Sequence, residues 1–503
     1  MATVDAKTSQ QALNTILAAI GMRESDYKGK VTIQGKDPIL ASRHRFGELM
    51  AASQAAFGMA LSELWQLRGG SPQDVTTNVN NAVHQHHGIA FMRQNGRQLP
   101  FIDYGSGVGV DSPMSGEFYP TRDGHFVKIE LFYPRLRDAM FKVLKCAPTQ
   151  RAVEAAIMQW DGEALELAIR EECGAIGMVR TADEWLAHPV GRRLAAKPVV
   201  EVEKIGDSDP IPLPAGGDMP FSGIRVLDCT HVIGGPVTAR TLAEFGADVL
   251  HLSKPNYPDY LNWRLETDNG KRAAYCDFND EADTRQFFKL LQNADVFTCS
   301  YLNLDQRGIS PRRLATSKPG IIAHELRCFD FEGEWANFRG FDMIAVAVSG
   351  YVDAEGAIDA PIMPLQVIFA DYLAAYAGAA GVAAALHRRA TEGGSYQVRV
   401  SLTRMCMWAH EIGLLDGSAL DGARSFADVA NDKDLPVKTI ASPFGEITYL
   451  PSLIDMPDIK PRFVRGPQPG SPFFWANLGS PWAARRWCRF CSCWGTRHQA
   501  LFA

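Results

Sequence analysis

The chain has 503 residues, 46% of them hydrophobic and 21% charged, which is the balance of an ordinary globular protein whose length predicts about two to four domains. Lys and Arg total 51 against 57 Asp and Glu, a formal net charge of −6, so there is no overall basic footprint for nucleic acid or an anionic membrane, and a large anionic ligand would need a local basic pocket. No apolar run approaches the length of a membrane span and the first ten residues lack the charged-then-apolar pattern of a signal peptide, which predicts a cytoplasmic protein with no membrane and no nucleic-acid partner.

Taken in order, the chain opens with an amphipathic helix around Gln10 to Ile20 and a polar stretch to Pro38. Phe46 to Leu67 is an Ala-rich helical pattern whose small residues allow close packing, and Gly69 is its stop. Gly116 to Glu130 reads as a hairpin turning at Asp123-Gly124, followed by helical patterns over Tyr133 to Leu144 and Ala152 to Cys173 and a strand near Val199 to Val202. Gly206 to Ser222, with Pro210, Pro212, Pro214 and Pro220, reads as a linker.

Beyond it the pattern changes. Ile224 to Cys229 is a short apolar strand, Thr230-His-Val-Ile-Gly-Gly-Pro236 a Gly-rich turn, Val237 to Phe245 a helix, and Gly246 to Leu252 a second strand. Gly234 and Gly235 let the backbone approach a ligand and Pro236 suits a first helical turn, whose free N–H groups attract phosphate, so the turn reads as a nucleotide or phosphate cradle. A dinucleotide site of the NAD type would show Gly-x-Gly-x-x-Gly here and an acidic residue after the second strand; this strand instead ends in Ser253-Lys254-Pro255. Lys254 favours a phosphorylated ribose, or is a solvated strand end.

The long helix has a twin. Phe46-Gly-Glu-Leu-Met-Ala-Ala52 matches Phe369-Ala-Asp-Tyr-Leu-Ala-Ala375, Gly58 matches Gly381, and Gly70-Ser-Pro-Gln73 matches Gly394-Ser-Tyr-Gln397; the offset is 323 (371 − 48, 381 − 58), moving to 324 (397 − 73) after one insertion. That is an internal repeat, to be weighed against the chance likeness of Ala-rich helices. Most cysteines sit in apolar runs and read as buried thiols; Cys488-Arg-Phe-Cys-Ser-Cys493 has metal-like spacing but no completing pair, so no metal site is expected. From Phe473 the tail mixes aromatic, Arg and Cys without period.

Leu227 to Pro236, Leu242 to Leu250, Asn269-Gly-Lys-Arg272, Gly340-Phe-Asp342, Ser349-Gly350 and Gly393 to Leu402 follow one another in the order and rough spacing of the class III CoA-transferase (CaiB/BaiF) family, which this stretch resembles. The resemblance implies an α/β fold with a Rossmann-like parallel-sheet large domain and a smaller α/β domain. With the internal repeat it predicts a pseudo-dimer of two family halves, or a homodimer. The expected layout is a helical part of a truncated first large domain over 1–110, a small α/β domain over 111–205, a linker over 206–222, a Rossmann-like large domain over 223–440, and a truncated second small domain with an irregular tail over 441–503.

The resemblance also assigns roles. Asp371, early in its helix, matches the family's nucleophile, which exchanges coenzyme A between an acyl-CoA donor and a carboxylic acid acceptor through an aspartyl anhydride and an aspartyl-CoA thioester. The helix dipole is expected to keep it ionised; taken alone, an aspartate at this point is also an ordinary cap. His231, Val232 and Gly234 match the turn that packs on CoA, Lys254 a basic position near its ribose phosphate, Tyr301 an aromatic near the adenine, and Arg307 an arginine near phosphate. Lys271 and Arg272 are phosphate contacts or a solvated basic pair. No tightly bound cofactor is expected, the CoA thioester being a substrate. The racemase branch carries a histidine where Phe341 stands, and phenylalanine cannot move a proton, which favours a transferase. A CoA-binding pseudoenzyme is the other reading, and Glu48, opposite Asp371 in the repeat, is either a relic of a second site or a capping residue.

Overall fold

The computed structural model describes residues 6–99, 118–255, 259–364 and 368–470. The start of the expected hairpin, the Cys488–Cys493 cluster and the tail from Phe473 lie outside the described residues.

Ile322–Arg327 and Ser395–Ser401, though mixed in polarity, become strands buried at most positions and so covered on both faces, the pattern of a parallel sheet. Seven strands form the main sheet in the order Arg272–Tyr275, Asp248–Ser253, Arg225–Cys229, Val296–Cys299, Ile322–Arg327, Ser395–Ser401 and Glu201–Gly206. The first six are parallel and run 3-2-1-4-5-6 in chain order; Glu201–Gly206, from the front of the chain, closes the edge antiparallel. The chain reverses direction across the sheet between strands 1 and 4, the place where a doubly wound sheet opens a crevice at its carboxyl ends. A three-stranded antiparallel sheet (Tyr119–Pro120, Phe126–Ile129, Ile176–Met178) stands apart, and the late hairpin Lys438–Ser442 and Gly445–Tyr449 pairs with Arg93–Gln94 and Arg97–Gln98 from the front.

The helix Phe369–Thr391 has the length and hydropathy of a membrane span, contrary to the expectation that no run approaches one, but it is entirely buried in protein and serves as the central core helix. It packs on Phe46–Leu67, and small residues on both let the backbones come close. Phe46 meets Phe369 edge to face at 6.2 Å. Those two residues are 323 apart in sequence, the offset at which the two helices align, so the aligned positions touch each other.

Further contacts recur at the same offset. A Cβ on Gly58 would come within 2.7 Å of Val75, and one on Gly381 within 2.7 Å of Val398, so in both places glycine is what lets the helix sit on the strand. Each long helix leads into a strand, Val75–Asn78 or Ser395–Ser401, paired parallel with an earlier one, Val31–Gln34 or Ile322–Arg327. Each strand ends in a residue that caps the next helix, Asn78 accepting from Asn81 N–H and Ser401 from Arg404 N–H. Ala6–Ile20 packs on the front helix as Gly234–Glu244 packs on the back one.

Most of the described cysteines are buried as expected, Cys229, Cys276, Cys299, Cys328 and Cys406 among them; Cys173 is exposed because it ends its helix at positive φ on the surface. The helical pattern over Ala152 to Cys173 is broken into Gln150–Ile157 and Gly162–Glu171, the second starting after Asp161.

Candidate active site

The turn after the first strand of the main sheet and the residues after the fourth meet at the crevice. His231 N–H donates to Ser300 Oγ at 3.0 Å, the His231 ring Nδ1 lies 2.7 Å from the same oxygen, and His231 stacks on Tyr301 with centroids 4.6 Å apart. Val232 N–H donates to Asp259 Oδ2 at 2.9 Å, and Gly234 N–H to Asp371 Oδ1 at 3.1 Å. The N–H groups of His231, Val232 and Gly234 thus already have side-chain acceptors, which modifies the expected phosphate cradle: an incoming anion meets a turn whose donors are spoken for, two of them by carboxylates.

The local backbone explains the convergence. Val232 has φ +70 and Ile368, immediately before the Asp371 helix, φ +64. Branched residues in this region cost of order 1–3 kcal/mol each and persist only where surroundings over-determine them. Here they flank the Gly234–Asp371 contact. A Cβ on Gly234 would lie 2.6 Å from Asp371 Oδ1, so only glycine admits the carboxylate this close to the helix start.

Asp371 is buried, with 6% of its surface exposed. Its helix is held from below by Asp342, whose Oδ2 accepts from Ala370 N–H at 2.6 Å and Asp371 N–H at 3.2 Å. Burial, then the Asp342 charge, push the Asp371 carboxyl well above the usual carboxylate range, against the Gly234 N–H, which lowers it. The expected dipole effect is therefore overridden, because a helix end contributes less than loss of water around a carboxylate. Burial also raises Asp342 to about 7. Among the described residues no cation lies within ion-pair distance of Asp371.

Sequence reasoning missed four contributors. Glu130 ends the strand Phe126–Ile129, is 2% exposed, has no hydrogen-bond partner on Oε1 among the described residues, and is raised to about 7 by burial, with the Asp342 charge adding. Asp342 was visible only as part of a Gly-x-Asp motif. Asp259 and Ser300 carried no signal, because their partners lie 27 and 69 residues away.

The basic residues sort differently. Lys254 Nζ lies 3.6 Å from Asp277, on the loop where Arg307 donates to Phe278 O and, at 2.7 Å, to Asn279 Oδ1; the two form one exposed rim beyond strands 2 and 3. Lys271 is neither solvated nor facing the crevice. It is fully buried, 2.8 Å from both Asp228 Oδ2 and Pro236 O, where it braces the turn from behind. Asp228 is held well below the usual carboxylate range by Lys271 and His251, against its burial. Arg272 instead lies 3.4 Å from Asp248.

A family model described as CoA-transferase family III matches residues 221–430. The chain is 25% identical over 308 residues to an acetyl-coenzyme A transferase of Hypoxylon pulicicidum, covering 57% of this chain and 50% of that protein. It is 28% identical over 214 residues to the alpha subunit of a succinyl-CoA–L-malate CoA-transferase of Chloroflexus aurantiacus, covering 39% and 50%. The chain spans about half the length of these curated relatives. Among solved structures, a CaiB/BaiF family protein from Brucella suis matches at 21% identity and a TM-score of 0.34, covering 46% of this chain and 65% of that one.

Proposed function

We propose, from the match of residues 221–430 to the CoA-transferase family III model, that the protein transfers coenzyme A between an acyl-CoA donor and a carboxylic acid acceptor, with Asp371 as the covalent nucleophile. The Asp371 carboxylate attacks the thioester carbonyl, the CoA thiolate leaves, and an acyl-aspartyl anhydride forms. The thiolate then attacks the aspartyl carbonyl, releasing the donor acid as a carboxylate and leaving an aspartyl-CoA thioester. The acceptor carboxylate attacks this thioester, freeing the thiolate and giving a second anhydride. Attack by the thiolate on the acceptor carbonyl yields the new acyl-CoA and restores Asp371. Each step exchanges one activated carboxyl for another, so none needs an outside energy source.

The observation that carries this reading is Asp371 itself, a buried carboxylate with no cation beside it among the described residues and one oxygen on a helix-start N–H. A carboxylate without a neutralising cation keeps its nucleophilicity, and the Gly234 N–H is placed to stabilise the oxyanion that develops on the aspartyl carbonyl. In this reading His231, Val232, Gly234 and Tyr301 face the CoA, and Lys254 and Arg307 supply the rim for its phosphates. The main sheet is Rossmann-like, and the recurring contacts of the two long helices reflect duplication, the two halves building a pseudo-dimer with one working site. A carboxyl held above its usual range is more ionised as pH rises, so adduct formation speeds up toward alkaline pH.

The test is intact-protein mass after incubation with a panel of acyl-CoAs, with hydroxylamine as trap, on wild type and Asp371→Asn. A CoA adduct or hydroxamate confined to wild type supports the reading. Protein that binds CoA yet forms no adduct with any donor is instead a CoA-binding pseudoenzyme.

A further inference from the structure

Asp259 is where the turn that reaches Asp371 meets the front of the chain. One carboxylate oxygen accepts the Val232 N–H at 2.9 Å and the other the Tyr133 hydroxyl at 2.6 Å. A second tie runs alongside, from the Tyr260 hydroxyl to Phe132 O at 2.7 Å. Tyr133 also stacks on Phe341 at 6.3 Å, the residue preceding Asp342. One tyrosine, entering between the strand Phe126–Ile129 and the helix Pro134–Leu144, therefore touches both supports of Asp371: the turn that donates to its carboxylate, through Asp259, and the segment that caps its helix, through Phe341.

We propose that Asp259 is a positioning residue, whose carboxylate clasps the left-handed Val232 to Tyr133 and so aims the Gly234 N–H at Asp371. The assignment rests on the reading of Asp371 as nucleophile. The physical case begins with Val232, a branched residue at φ +70 that stays there only if its N–H is held from outside the turn. Ser300 holds the neighbouring His231 N–H, but it lies on the same sheet and cannot transmit anything from the small sheet. Of the side chains that accept the His231, Val232 and Gly234 N–H groups, Asp259 alone does so. If the clasp opens, Val232 can relax to negative φ, the turn rotates, and Gly234 N–H swings off Asp371 Oδ1. Asp371 then keeps its burial and the Asp342 charge while losing the one contact that favours its ionised form.

The charged and titratable groups that bear on this are few. Around Asp371 they are Asp342, the Cys328 and Cys406 thiols, which its charge raises, and Glu130, which the Asp342 charge raises. Around Asp259 they are Tyr133, Tyr301, His231 and Arg264. None of these replaces the Gly234 N–H as a donor to Asp371 among the described residues.

The experiment compares full-length wild type with Asp259→Ala, Asp259→Asn and Tyr133→Phe, by hydrogen exchange of the peptide spanning the turn 230–235 and by the pH profile of kcat/KM for CoA exchange between an acyl-CoA and its own labelled acid. Asp259→Ala is expected to speed exchange of the turn amides about tenfold or more, to move the acidic limb of the profile upward by about one pH unit, and to lower kcat more than it raises KM. Asp259→Asn, which keeps an acceptor for the Val232 N–H, restores most of both; Tyr133→Phe moves both the same way by less. Turn exchange and acidic limb that both match wild type overturn the proposal, and so does a rise in KM alone, which makes Asp259 a substrate contact. If wild type exchanges no CoA, the reading of Asp371 fails while the amide exchange still decides whether Asp259 holds the turn. Should Asp259→Ala not fold, Asp259→Asn and Tyr133→Phe decide the same question.

Discussion

The two long core helices begin alike and end in opposite chemistry. In the back half, Asp342, from Gly340-Phe-Asp342, caps the helix start beside Asp371. In the front half, Asp37, from Gly35-Lys-Asp37, accepts Glu48 N–H at 2.8 Å, and burial raises it to about 7, as it does Asp342. Glu48 stands where the offset of 323 puts Asp371. Yet Glu48 is fully buried against Arg45 at 3.3 Å and Ser9 Oγ at 3.1 Å, whereas Asp371 faces a glycine N–H and, among the described residues, no cation. The lesson is that two helix starts, each capped by an aspartate, hold a neutralised carboxylate or an unneutralised one according to whether a cation stands at the tip: Arg45, at the start of the front helix itself, pairs with Glu48, and among the described residues no cation pairs with Asp371. Ala6–Ile20 brings a serine, and Gly234–Glu244 brings a bare N–H.

That contrast can be tested at matched positions. The largest effect is expected from Asp371→Asn, which should lower CoA exchange on the order of 10³-fold or more and abolish the adduct, measured by turnover and intact mass. An adduct that persists would break the contrast outright. Next is the pH dependence of the front cap. Asp37 has a folded-state value of about 7 against an ordinary 3.8, so its share of stability is present below about pH 4 and is lost as pH rises toward 7. Asp37→Asn should remove that loss, making the variant more stable relative to wild type at pH 8 than at pH 4 by about 4 kcal/mol, as read by denaturant titration at both values. An unchanged difference would mean that Asp37 is ionised and paired in the folded protein.

Smaller again is the packing pair. Gly58→Ala and Gly381→Ala each push a Cβ to 2.7 Å from a valine, and both should destabilise by about 1–3 kcal/mol, with similar falls in Tm. If one proves neutral, the two helix–strand contacts are not equivalent. Least in activity is Glu48→Gln, expected to change CoA exchange by no more than about twofold while costing about 1–2 kcal/mol of stability, because Arg45 loses its partner. A large loss of activity here would restore Glu48 as a working carboxylate.

Much of this was legible in the residues. The strand and helix from Ile224 to Phe245 appear within one to three residues of their expected bounds, the helix starting at Gly234 rather than Val237, since apolar periodicity and Gly/Pro punctuation are local signals. The two long helices were legible too, because Ala-rich helical periodicity is a local signal, and the structure packs them on each other. His231 and Tyr301, 70 residues apart, were each identified separately, and the structure stacks them. Lys271 was misjudged because a basic pair after a glycine looks like a loop; nothing local shows that Asp228, 43 residues earlier, lies waiting for it in the core.

By itself the sequence determined most of the secondary elements of the back half, its likeness to CoA-transferase family III and the candidate carboxylate, since all of these are carried by spacing along the chain. The tertiary structure alone decided how that carboxylate is held. Its protonation is set by burial and by Asp342, its donor by Gly234 on another element, and the bracing of that donor by Asp259 and Tyr133, which are 126 residues apart. Solvation and field at a buried group are sums over everything packed around it, and such sums depend on distances in space that spacing along a chain does not contain.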